Sequence, residues 1–130
     1  MRALNPNILI FSVFQKTQSD AKNEHAHAEM LSILQGAMIP VIELQGRYAG
    51  TSEKSILVQG FEHRSTVERI CQSFNQECYL ESHNDRATFL VYPSGETSHI
   101  GTMQAVSQDE AEKYGAYSYN PIARQHFICK

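Results

Sequence analysis

The sequence predicts an α+β domain of the ferredoxin-like, split β-α-β type: an α-β sandwich with a β-α-β-β-α-β core plus extra strands. Three observations predict it. Short runs rich in Ile, Leu, Val and Phe recur as strand candidates. Two segments between them open on helix-capping residues and continue with apolar residues at helical spacing. Turn residues rather than long linkers separate the elements. The 130 residues are the length of one domain, expected over 1–130.

The elements follow in order. "NILIFSVFQ" (7–15) reads as a buried strand. Ser19-Asp20 offers an N-cap for a helix over 20–35, with Ala26, Met30, Ile33 and Leu34 as its apolar stripe and Gly36 placed to stop it. "IPVIEL" (39–44) and "SILVQGF" (55–61) are strands two and three. Ser65 and Glu68 match a capping box opening a helix over about 65–76, with Val67, Ile70, Cys71 and Phe74 on one face. "ECYLES" and "ATFLVYP" flank the turn residues His83 to Arg86, so 77–93 reads as a hairpin. Beyond Pro93 the signal weakens to a short strand at 99–106, a short helix capped by Ser107, and a closing strand at 124–129. Helices on one face of such a sheet leave the other face bare, which predicts that another subunit covers it.

Composition narrows the function. Hydrophobic residues make up 42% of the chain, enough for a core without metal or disulfide staples. The formal charge is -3 and no basic cluster stands out, so neither nucleic acid nor a membrane surface is an expected partner. The apolar run "ILIFSVF" is too short to span a bilayer, and no signal-peptide pattern opens the chain. Three cysteines without a CxxC spacing read as free, buried or half-buried thiols of a cytosolic protein. His25 and His27 stand two apart on a helix and point away from each other, so they do not share a metal. His25 with Glu29, and Asn23 with His27, read as surface polar pairs.

The segment with the most chemistry is "GRYAGTSEKS" (46–55), between strands two and three. A plain hairpin needs only about two to five turn residues. This one reads as a longer loop, for which a solvated surface loop is the plain account. Gly46 and Gly50 allow backbone N–H groups to approach a ligand, and Thr51 and Ser52 add small hydroxyls. Tyr48 offers a π face for a cation and a phenol for a hydrogen bond. Glu53 supplies a negative charge at the foot of a strand. An amine-bearing cation would suit that pair.

"FSVFQ", "NEHAHAEMLSIL", "GRY", "SEKSILV", "NQECYL" and "FLVYPSGE" occur in one order over about residues 8–106. That ordered set resembles the phage-encoded S-adenosylmethionine (SAM) lyases, long called SAM hydrolases. The resemblance implies a PII-like α-β sandwich assembled as a homotrimer with active sites at subunit interfaces. It implies SAM as substrate, Tyr48 and Glu53 as catalytic residues, and no metal or other cofactor. Ser12 and Phe14 match the family's first-strand pattern and join Gly50, Thr51 and Ser52 as candidate substrate contacts. The implied role, in a host bacterial cytosol, is destruction of the SAM that restriction and methylation require. Two other readings stand beside it. One is hydrolysis to homoserine, with Glu53 activating water. The other is a non-enzymatic PII-like trimer that binds SAM or adenine nucleotides and signals through the 46–55 loop.

Overall fold

The structure, a computed structural model, describes residues 7–48 and 51–130, with only the backbone of Tyr48 included. In chain order the elements are β1 (Ile8–Phe11), α1 (Asp20–Gly36), β2 (Val41–Tyr48), β3 (Thr51–Gln59), α2 (Arg64–Ser73), β4 (Tyr79–Ser82), β5 (Ala87–Val91), β6 (Thr97–Val106), α3 (Gln108–Tyr114), β7 (Ala116–Asn120) and β8 (Gln125–Cys129). A single 3₁₀ turn, Phe61–His63, leads into α2. The first six elements occur in the expected chain order. The architecture is different from the one expected.

All eight strands pair antiparallel in the order β1-β3-β2-β7-β8-β6-β5-β4, and β4 returns to β1 to close a barrel. The expected ferredoxin-like or PII-like sandwich is therefore incorrect. The reason lies in what the apolar runs signify. Leu9, Phe11, Ile56 and Val58 form one core cluster with Leu34 of α1 and Val67 and Cys71 of α2. Their strand neighbours Ile10, Ile42, Leu44 and Leu57 form a second cluster. Pairing puts Ile10 opposite Leu57, and Leu57 opposite Ile42, on the face turned away from those helices. A continuous apolar run therefore marks a strand buried on both faces. The second face is covered by the barrel interior, so no partner subunit is needed to bury it.

β7, a strand that the sequence does not announce, closes the gap between β2 and β8. Its "AYSYN" alternates tyrosines with small residues, a period-two signal masked by its brevity and by Gly115 before it. The helix caps divide. Ser19 Oγ accepts a hydrogen bond from Lys22 N at 3.2 Å, and Ser107 Oγ accepts from Glu110 N at 3.2 Å, both at expected N-caps. The Ser65–Glu68 box does not form, because α2 begins one residue earlier and is capped by His63, without a side-chain bond. All three cysteines are free. Burial pushes the Cys71 thiol up to about 12, which makes it an inert packing group.

Candidate active site

The "GRYAGTSEKS" segment is mostly strand. β2 and β3 stay paired out to Tyr48 opposite Thr51, so the described residues of the expected longer loop are strand instead. Strand pairing gives a harder scaffold for the same residues. Pairing runs from Lys54 to Gln45, from Gln45 to Tyr119, and from Tyr119 to His126. A parallel row joins Ser52, Arg47 and Tyr117. Directly paired residues share a face of the sheet, so these two rows pave one surface across β3, β2, β7 and β8.

That surface floors a cleft of about 500 Å³, walled by Phe14 after β1, by Glu24 of α1 and by Gln108 of α3. Lys54 Nζ closes one side through an ion pair with Glu24 Oε2 at 2.9 Å. Glu53 lines the cleft as well, but alternation along β3 sends its side chain to the face opposite Lys54 and Ser52, where its cross-strand partner is Gly46 and the Ser12 hydroxyl meets it. Ser12 Oγ lies 3.1 Å from both Glu53 Oε1 and the Lys54 carbonyl oxygen, and it accepts from Phe14 N at 3.0 Å. Ser12 thus ties the strand-one exit, the Phe14 wall and the Glu53 carboxylate together. Burial pushes the Glu53 carboxyl above the usual carboxylate range, opposed by the Ser12 hydrogen bond and by the Lys16 ammonium. It is a half-buried carboxylate that the Ser12 hydroxyl and the Lys16 ammonium partly compensate.

Behind Phe14 stands a part of the site that the sequence reading assigned to solvent. Asn23 and His27 are both buried rather than surface residues. Asn23 Oδ1 accepts from Gln15 N at 2.9 Å, and Asn23 Nδ2 donates to Gln15 O at 3.1 Å, clamping the residue after Phe14. His27 Nε2 donates to Glu43 Oε2 at 2.8 Å, and its ring meets Phe14 edge-on with centroids 6.0 Å apart. Their spacing on α1, four apart on one face, was visible in "NEHAH". Their burial was not, because polar residues on a helix are usually solvated. His25 is exposed and pairs with Glu29 at 3.4 Å.

The S-adenosylmethionine lyase family model matches residues 9–130. The chain belongs to this family. It is an enzyme, and its reaction is a lyase reaction on S-adenosylmethionine. No curated protein matches the chain.

Of the lyase's expected site residues, the structure brings Glu53, Ser52 and Phe14 to one cleft, with Ser12 bonded behind Glu53. Thr51 is exposed at the start of β3 and does not line it. The Tyr48 side chain and Gly50 lie outside the described residues. Tyr117, Tyr119 and His126 line the cleft and were not anticipated. Among the described residues, no group of three or more His, Cys, Asp or Glu side chains is arranged to hold a metal ion, and no helix is long and apolar enough to cross a membrane.

Proposed function

We propose that the lyase cleaves SAM by internal attack, with Glu53 holding the substrate's α-ammonium. The substrate carboxylate oxygen bonds to its own γ-carbon as the bond from that carbon to sulfur breaks. The bonding pair leaves with sulfur. The products are 5′-methylthioadenosine and homoserine lactone, and no proton changes hands. Carboxylate and sulfonium neutralise each other, which a cleft poorer in water than bulk favours. Holding the folded conformer supplies much of the acceleration, since well-oriented intramolecular reactions gain about 7–11 kcal/mol.

The observation that carries this reading is the half-buried Glu53, held by Ser12 in the cleft of a SAM lyase family member. A carboxylate next to the sulfonium would stabilise charge that disappears in the transition state, and so would slow the reaction. Beside the ammonium, whose charge persists, it anchors both states. Tyr48 would then steer the chain with its hydroxyl or pack its ring near the sulfonium.

Hydrolysis is the second reading, and one observation favours it: burial raises the Glu53 carboxyl, as a general base requires. The pH profiles separate the two. For an ammonium anchor, bound substrate brings a positive charge to Glu53 and lowers its pKa. The acid limb of kcat/KM, which reports free enzyme, is then expected above the ordinary carboxylate range, and the acid limb of kcat at lower pH. A general base needs the raised value in the complex too. Coincident limbs would therefore speak for water attack.

The family resemblance also supports a homotrimer with sites at subunit interfaces and a role in draining SAM in a host bacterial cytosol. A solution mass equal to the 14.7 kDa protomer would contradict the first. An undiminished SAM pool on expression in bacteria would contradict the second.

A further inference from the structure

The cleft has two chemically different ends. At the β3 end lie charges: Glu53, Lys54 and Glu24. At the β7–β8 end lie three rings. Tyr119 and His126 have centroids 4.5 Å apart with planes inclined at 39°, and Tyr117 and His126 have centroids 5.5 Å apart at 55°. All three are partly buried and line the cleft. Gln45 separates the ends, paired to Lys54 on one side and Tyr119 on the other.

We propose that Tyr117, Tyr119 and His126 form the shelf on which the lyase stacks the substrate's adenine ring. The inference rests on the SAM reading above and adds where the nucleoside binds. Four arguments carry it. First, contiguous tilted rings make a broad π surface, which suits a flat heteroaromatic better than an aliphatic chain. Second, neighbouring strands are about 4.8 Å apart, so β7 and β8 lie roughly 10–14 Å from Glu53's strand. That separation is comparable with a nucleoside carrying a four-carbon amino-acid arm, so one molecule lying along the row from His126 to Lys54 spans the cleft to the strand that carries Glu53. Third, Gln45 stands at the edge of the shelf with an amide donor and acceptor, the pair that reads an adenine edge. Fourth, the hydroxyl of Ser12, one of the candidate substrate contacts on the first strand, is already bonded to Glu53, Lys54 and Phe14. A shelf for adenine binds ground state and transition state alike, so its loss should appear in KM more than in kcat.

Calorimetric titration of the full chain with 5′-methylthioadenosine, which lacks the amino-acid arm and the positive charge, tests the assignment. Tyr119→Leu and His126→Ala are each expected to weaken binding about 10–100-fold, the scale of one lost base-stacking contact. Tyr119→Phe keeps the ring and should bind within about threefold of wild type, and Glu53→Gln should bind as wild type does. Far-UV circular dichroism confirms that each variant is folded. Wild-type affinity in folded Tyr119→Leu and His126→Ala, while wild-type protein still turns over SAM, would overturn the shelf and leave the reaction standing. Weakened SAM binding with unchanged methylthioadenosine binding would place the sulfonium over the rings instead, and would also overturn the assignment. If wild-type protein neither binds nor cleaves SAM, the functional reading falls and the shelf with it. If Tyr119→Leu does not fold, the Tyr119→Phe and His126→Ala pair decides alone, and equal loss in both would contradict stacking.

Discussion

Glu53→Gln is expected to lower kcat/KM at least about 30-fold while leaving the protein folded and, at neutral pH, no less stable. The kinetic part follows from charge. The amide keeps the size and can still accept from Ser12, but it offers an ammonium no counter-charge, and losing one partner of a desolvated charge pair costs about 2–5 kcal/mol. The stability part follows from linkage. Burial raises the folded-state carboxyl above its unfolded value. The group therefore favours the folded state below the unfolded pKa, and that contribution is lost as pH rises through the folded pKa. At pH 7 the ionised carboxylate is a cost that glutamine lacks. The melting temperature of Glu53→Gln should thus equal or exceed that of wild type at pH 7, with the difference vanishing near pH 4. A drop of several degrees at pH 7 would mean that the Ser12–Glu53 bond is structural first, and wild-type turnover would remove Glu53 from the mechanism.

Gly101→Ala is expected to destabilise the fold by about 2–4 kcal/mol, although Gly101 does not line the cleft. Its φ is +128°, a backbone region that side chains disfavour, and a Cβ there would stand 2.6 Å from the Lys130 carbonyl carbon. Paired bonds of 3.1 Å between Thr102 and Lys130 hold the chain end against β6 at this point. β8 runs alongside β6 from Cys129 back to His126, so the alanine pushes on the strand that presents His126 to the cleft. Urea unfolding should show a midpoint lowered by about 1–2 M. An unchanged midpoint would mean that the chain end is not packed against Gly101.

Much of the local structure was legible in the sequence, because local signals are short-range physics. Ser19 and Ser107 cap helices as their neighbours require. The 77–93 hairpin forms around its turn residues, with Arg86 N donating to the His83 carbonyl at 2.8 Å. The closed barrel was not legible. Its interior residues Ile10, Leu44 and Leu57 are equally apolar whether a partner or the same chain covers them. Only the position of β7 between β2 and β8 decides which, and that pairing spans most of the chain. From sequence the 46–55 segment reads as a loop because Gly46 and polar residues are weak strand formers. Pairing on both edges of β2 overrides that preference. Glu53 was legible as a charge in a suitable place, whereas the aromatic shelf depended on the unseen strand.

The central claim is that the substrate's own carboxylate is the nucleophile. The most direct measurement is NMR of the earliest products formed from SAM by purified wild-type protein, before lactone hydrolyses in solution. Methylthioadenosine appearing together with homoserine lactone is the expected result. Methylthioadenosine with free homoserine from the first time point would contradict it and make water the nucleophile.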